Sequence, residues 1–153
     1  MIILIGQQHD IINMRCDNMI ELNSLTMEEY YDLVNILGWK APSKRLLKIS
    51  LENGINVKYI LDGKTIGIAR YVSDGGYAGL IMDVIVHPDY QGNGYGTELL
   101  QYLTNYLKSN LQENEELMIQ LLSAPGKQHF YSKFGFKVKK EVAEDGMYMW
   151  LKK

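Results

Sequence analysis

The chain has 153 residues, 46% of them apolar and 22% charged, which suits one globular domain with a core of its own rather than a disordered or fibrous polypeptide. Sixteen Lys and Arg against 18 Asp and Glu leave a formal net charge of −2, so a nucleic-acid partner receives no general electrostatic support. A single cysteine, Cys16, excludes an internal disulfide and favours a reducing compartment. Its expected role is that of a small residue within a strand. The start "MIILIGQQHDII" lacks the basic flank and cleavage site of a signal peptide. No apolar run reaches the ~20 residues that span a bilayer. A cytoplasmic protein without a membrane partner is expected.

Taken in chain order, the residues before Ser24 are ambiguous. "SLTMEEYYDLVNILGW" then offers a capping box, Thr26 with Glu29 three residues on, ahead of an apolar face of Leu33, Ile36 and Leu37. "APSKRLLKISLENG" reads as a second short helix, with Ser43 near its start and Gly54 beyond its end. "NVKYILDGKTIGIARYV" is two β-rich runs joined at Asp62-Gly63, a strong hairpin signal. "SDGGY" turns the chain again, and Tyr77 to Val86 makes a further strand. From Tyr95 to Ser109, Leu99, Leu103, Tyr106 and Leu107 form one helical stripe. "ELMIQLLS" predicts a buried strand, and "GKQHFYSKFGF" a short helix stopped by Gly135. Two last strands are expected around Phe136–Lys140 and Met147–Leu151. An antiparallel meander followed by β-α-β-α-β predicts an α+β domain around one mixed sheet.

Three glycines within five residues, Gly92 to Gly96, separate an apolar strand from a helix. Such a loop presents bare main-chain N–H groups at the positive end of a helix dipole, a site for phosphate or pyrophosphate. The nucleotide-triphosphate pattern needs a Lys after its last glycine, but Thr97 and Glu98 follow Gly96. The dinucleotide pattern needs a glycine where Thr97 stands, and a βαβ unit in place of a meander. What fits is Gln91-Gly92-Asn93-Gly94-Tyr95-Gly96, preceded by "VHPDY".

That Q-x-x-G-x-G run resembles the signature of the GNAT superfamily of acetyl-coenzyme A-dependent N-acetyltransferases. "DVIVHPDYQGNGYGTELL" is similar to the family's fourth strand, pyrophosphate loop and third helix. "LLSAPGKQHFYSKFGF" is similar to its fifth strand and fourth helix, and "IGIARYVSDG" and "DGMYMW" to further family elements. The set spans Val57 to Trp150 in order. The resemblance implies one GNAT domain over residues 1–153, with a mixed, mostly antiparallel sheet, helices on both faces and a splayed fourth and fifth strand. It implies acetyl-coenzyme A held by the loop from Gln91 through Gly92, Asn93, Gly94, Tyr95 and Gly96 to Thr97. Main-chain groups of Val84, Ile85 and Val86 would meet the pantetheine arm like an added strand. Ala124, Lys127, Tyr131 and Lys133 would lie along the coenzyme, the lysines otherwise being solvated helix charges.

By the same resemblance Tyr131 stands beside the coenzyme sulfur and would protonate the departing thiolate; otherwise it is an aromatic packing residue between Phe130 and Phe134. Asp83 is a carboxylate in an apolar run, costly unless partnered. It binds or deprotonates the amine, or makes a structural hydrogen bond, and the second reading is favoured. Strand alternation predicts that it points away from the face of Met82. The positions where family members carry a base match Leu80 and Met82, both apolar here, which leaves amine deprotonation to ordered water and backbone carbonyls. Tyr30, Tyr31 and Trp39 would form the acceptor wall or pack the first helix, and Asp74 would line the cleft or form a turn. His87 reads as a loop residue and His129 as a neighbour of the coenzyme. Neither has metal-ligand company. The expectation is acetyl transfer to a primary amine of a small molecule, by direct attack in a ternary complex and without a metal. A protein or peptide acetyltransferase and a non-catalytic coenzyme A-binding module are the alternatives. Dimers are frequent in the superfamily, so a homodimer is one implied assembly.

Overall fold

The computed structural model of the chain describes residues 18–138. They fall into two compact units, one ending at Gln120 and the other beginning at Leu121. The first holds most of a five-stranded sheet in the order β1-β2-β3-β4-β5. β1 (Asn18–Leu22), β2 (Ile55–Leu61), β3 (Lys64–Ser73) and β4 (Ala78–Val86) pair antiparallel in sequence. β5 (Met118–Leu121) runs parallel to β4. Asp62 and Gly63 both have positive φ, 50° and 74°, as a two-residue hairpin turn of that sequence requires. β1 lies in the stretch that the sequence leaves ambiguous.

Helix α1 (Met27–Ile36) starts with the expected capping box. Glu29 N–H donates to Thr26 Oγ1 at 3.2 Å and Thr26 N–H to Glu29 Oε2 at 2.8 Å. Helix α2 (Lys44–Asn53) starts on Ser43, whose hydroxyl accepts Leu46 N–H. Both lie on one face of the sheet, where Leu33, Val34 and Leu47 pack with Ile68 and Ile85. The other face carries α3 (Tyr95–Ser109), buried through Leu99, Leu100, Leu103 and Leu107. Gly67 makes that approach close: a Cβ there would stand 2.9 Å from Leu99 Cδ1 and 3.0 Å from Ile85 O. Alternation thus sends Tyr59 and Gly67 to the α3 side, and Lys58, Ile68 and Arg70 to the α1/α2 side.

The second unit contains α4 (Gln128–Ser132), one helical turn and a half, followed by turn residues up to Gly135 at φ 88°. The strand expected at Phe136–Lys140 is described only to Val138, as irregular chain. The strand at Met147–Leu151, the "DGMYMW" segment and Cys16 lie outside the described residues.

Candidate functional site

The chain leaves β4 through one 3₁₀ turn, Pro88–Tyr90, that His87 begins. His87 is buried; its N–H donates to Ile66 O at 2.8 Å, and its Nδ1 accepts Asp89 N–H at 3.2 Å. Gln91 then anchors the loop twice, N–H to Pro88 O at 3.2 Å and Nε2 to Val86 O at 2.9 Å. Asn93 Nδ2 donates to the carbonyls of Tyr90 and Gln91. At the far end, Thr97 and Glu98 N–H both donate to Gly94 O. Between those anchors the N–H groups of Gly92, Asn93, Gly94, Tyr95 and Gly96 meet no acceptor among the described residues. Gly92 and Gly94 sit at φ 81° and 92°. A Cβ on Gly92 would meet nothing within 4 Å, and one on Gly94 only Glu98 Oε1 at 4.0 Å. The result is an open cradle of donors at the positive end of a 15-residue helix, fitted to a polyanion such as a pyrophosphate. Of the expected set, Gln91 and Thr97 spend their N–H groups inside the loop; the five between them are free to bind.

Glu98, in the first turn of α3, is a carboxylate where anions would bind, and it is held aside. Tyr59 Oη donates to its Oε2 at 2.8 Å, with the Tyr59 ring edge-on to Tyr95.

Val84, Ile85 and Val86 end β4. The His87 N–H bond to Ile66 O marks a hydrogen-bonded pair with β3, so by antiparallel alternation Val86 turns its main-chain groups away from β3 and Ile85 turns its own toward it. The Gln91 bond to Val86 O agrees. Val86 therefore supplies outward groups, and Ile85 is committed to the sheet. β5 begins beside Tyr77, through Met118 N–H to Tyr77 O at 2.7 Å. It is four residues long against nine in β4, so its pairing is used up before Val84.

Between Ile68/Ile85 and Arg70/Met82 the register shifts: Ala69 faces both Asp83 and Val84, a β-bulge. Asp83 adopts φ 51°, a left-handed conformation uncommon outside glycine. Its Oδ2 accepts Arg70 Nη1 at 2.6 Å and Tyr30 Oη at 3.3 Å, whereas Oδ1 accepts nothing among the described residues. The bulge corrects the expected alternation. Met82 pairs with Arg70, and Asp83 reaches that same Arg70, so both stand on the α1/α2 side instead of opposite faces. Burial first, and then the Asp83 carboxylate, push the Tyr30 hydroxyl up to about 12 against the pull of Arg70, which keeps it a donor.

Tyr31 donates to Pro42 O at 3.0 Å, bracing the α1–α2 connection, and Trp39 is about half exposed beside it in sequence. Asp74 is exposed and accepts Gly76 N–H through Oδ1 at 2.8 Å, the bond of a turn former. In the second unit, Tyr131 is half-buried against Phe130 and Phe136 at ring distances of 5.0 and 6.2 Å, and burial pushes its hydroxyl up. Ala124, Lys127, His129 and Lys133 are exposed. No group of three metal-ligating side chains occurs among the described residues. The residue that sequence reasoning missed is Arg70. The available signal was a lone cation at an inward position of "IGIARYV", in phase with Ile66 and Ile68.

A family model described as "Acetyltransferase (GNAT) domain" matches residues 55–138. The "Uncharacterized N-acetyltransferase ycf52" of Pyropia yezoensis is 31% identical, over 92% of this chain and 84% of that protein. "GCN5-related N-acetyltransferase 2, chloroplastic" of Arabidopsis thaliana is 35% identical over 58% of this chain and 33% of that protein. Among solved structures, a probable acetyltransferase from meticillin-resistant Staphylococcus aureus superimposes with a TM-score of 0.76 at 26% identity, covering 88% of this chain and 99% of that one.

Proposed function

This chain belongs to the GNAT family of acetyltransferases, and on that premise we propose that it moves the acetyl group of acetyl-coenzyme A to a primary amine of a small molecule in a ternary complex. The observation that carries the coenzyme assignment is the run of five unpaired N–H groups from Gly92 to Gly96. When bound there, acetyl-coenzyme A supplies an activated thioester carbonyl. The loop amides hold the pyrophosphate with backbone alone, so the side chains of Asn93 and Tyr95 remain free to serve the loop and the core. The main-chain groups of Val84 and Val86 take the pantetheine arm as an added strand. Val84 N–H polarises the thioester carbonyl and the oxyanion that develops from it. Tyr131 donates a proton to the leaving sulfur, with Lys127, Lys133 and Ala124 along the coenzyme. Asp83, engaged by Arg70 and Tyr30, holds the strand, and the amine loses its proton through water and backbone carbonyls. Tyr31 and Trp39 contribute to the acceptor wall.

The reading includes one catalytic domain over residues 1–153, a cytoplasmic setting and a homodimer, open to cell fractionation and light scattering. The deciding experiment is an acetyl-coenzyme A turnover screen across arylalkylamines, polyamines, aminoglycosides, amino acids, peptide N-termini and lysine side chains. Turnover on a small amine is expected. Turnover on peptides alone would move the acceptor class to proteins. Coenzyme binding with no acetyl transfer to any amine would overturn the catalytic reading.

A further inference from the structure

Arg70 is buried in the middle of β3, and nothing in the chemistry above uses it directly. Its Nη1 bonds Asp83 Oδ2 at 2.6 Å, its Nη2 reaches Ser50 O of α2 at 3.4 Å, and its guanidinium carbon lies 6.0 Å from the centre of the Tyr30 ring of α1. Its Nε has no partner among the described residues. Burying a cation with a donor left unpaired is costly, and one strong ion pair does not by itself favour that arrangement over an apolar residue. What the pair does accomplish is geometric. It fastens Asp83, the one residue of β4 with a positive φ, at 51°. Asp enters this left-handed conformation more readily than most side-chain-bearing residues but still at a cost, and the ion pair to Arg70 holds it there. Asp83 immediately precedes Val84, so the left-handed step decides the direction in which the Val84 peptide leaves the sheet. Without the bulge, strict alternation would reset every outward group from Val84 to the strand end.

We propose that Arg70 is a positioning residue for acetyl transfer: through Asp83 it holds the β4 bulge and so aims the Val84 main-chain groups at the thioester. The inference rests on the reading that Val84 N–H meets the thioester carbonyl. Tyr30 is the second clamp on the same oxygen, and its longer bond, 3.3 Å, makes it the weaker one.

The test compares full-length wild type with Arg70→Met, Arg70→Lys and Tyr30→Phe on an amine that the wild type acetylates. Turnover, coenzyme A affinity by calorimetry and the amide signal of Val84 in selectively ¹⁵N-valine-labelled protein are read together. Arg70→Met is expected to lose at least about tenfold in kcat with coenzyme affinity within roughly threefold, because the Gly92–Gly96 cradle does not depend on the bulge. Its Val84 signal should move. Arg70→Lys should recover part of the rate, and Tyr30→Phe should show a smaller loss of the same kind. If Arg70→Met does not fold, Arg70→Lys and Tyr30→Phe carry the comparison. Wild-type kcat in the folded variants, or a Val84 signal that stays in place, would overturn the proposal. Failure of the wild type itself to bind coenzyme A would instead strike the functional reading beneath it.

Discussion

A phenol protonates a departing thiolate only while it keeps its own proton. Burial pushes the Tyr131 hydroxyl above its ordinary 10, so the acid form is full below that pKa and lost only as the pH rises through it. No alkaline fall in rate from Tyr131 is therefore expected below about pH 10. Tyr131→Phe keeps the ring contacts with Phe130 and Phe136 and removes one oxygen. The coenzyme thiol is itself a moderate acid near ~8.5 and leaves unassisted to some extent, so kcat should fall about tenfold to a hundredfold with coenzyme affinity unchanged. Steady-state kinetics showing full activity would return Tyr131 to a packing role. Asp83 is tested differently. Asn tolerates the left-handed conformation and can still accept from Arg70 Nη1, so Asp83→Asn should keep the bulge while weakening its buried ion pair. The expected result is a lower melting temperature, from roughly 1–3 kcal/mol of lost stability, with turnover of the folded enzyme within a few-fold of wild type. A loss of about a hundredfold without destabilisation would instead mark the carboxylate as a chemical participant.

At the level of elements, the glycine loop is the part whose physics is most exposed. Gly94 caps α3 at φ 92° with open space beside it. Gly94→Val would clash with no backbone; it would force a β-branched residue into the left-handed region, at about 1–2 kcal/mol, and place a Cβ where an anion must approach. Calorimetric titration of the folded variant should show coenzyme A binding abolished or weakened by at least about a hundredfold, the loss of several charge-assisted bonds. Retained affinity would remove the pyrophosphate site from this loop. Which elements were legible follows from how local their causes are. The capping box at Thr26, the Asp62-Gly63 hairpin and the loop spacing each depend on a few neighbouring residues, and each could be read directly. β1 could not, because "NMIEL" is short and acquires its strand form from pairing with β2 residues 35 to 43 positions later. The β4 bulge was hidden because "IMDVIV" alternates no differently from a regular strand. Only the partner Ala69 on β3, with Arg70 beside it, reveals that two residues share one place.

Across the first unit, the α1/α2 side of the sheet is less apolar than its strand sequences suggest, since Lys58 and Arg70 both occupy inward positions. A sequence reading assigns such residues to a solvated edge, because what makes their burial tolerable lies on other elements. Lys58 donates to Glu29 Oε1 and Oε2 at 2.9 and 3.2 Å, with Glu21 at 3.4 Å, and Thr65 Oγ1 donates to Glu29 Oε1 at 2.6 Å. Glu29 thereby joins the start of α1 to β2 and β3 while also completing the capping box. Burial alone would raise its carboxyl pKa, but the bonds from Thr65, Thr26 N–H and Lys58 outweigh it and hold the group below its ordinary 4.5. A depressed carboxylate contributes stability that is fully present above the unfolded value and is lost as the pH falls through the folded one. Wild type should therefore weaken on acidification below about pH 4.5 in a way that Glu29→Gln does not. Gln preserves the capping geometry, since its amide oxygen can still accept Thr26 N–H. The variant thus isolates the charge opposite Lys58. Urea midpoints at pH 7 should be lower for Glu29→Gln than for wild type, and the gap should narrow steadily toward pH 3. An equal gap at every pH would mean that Glu29 acts through its shape and hydrogen bonds alone, and that Glu21 suffices as the counter-charge for the buried lysine.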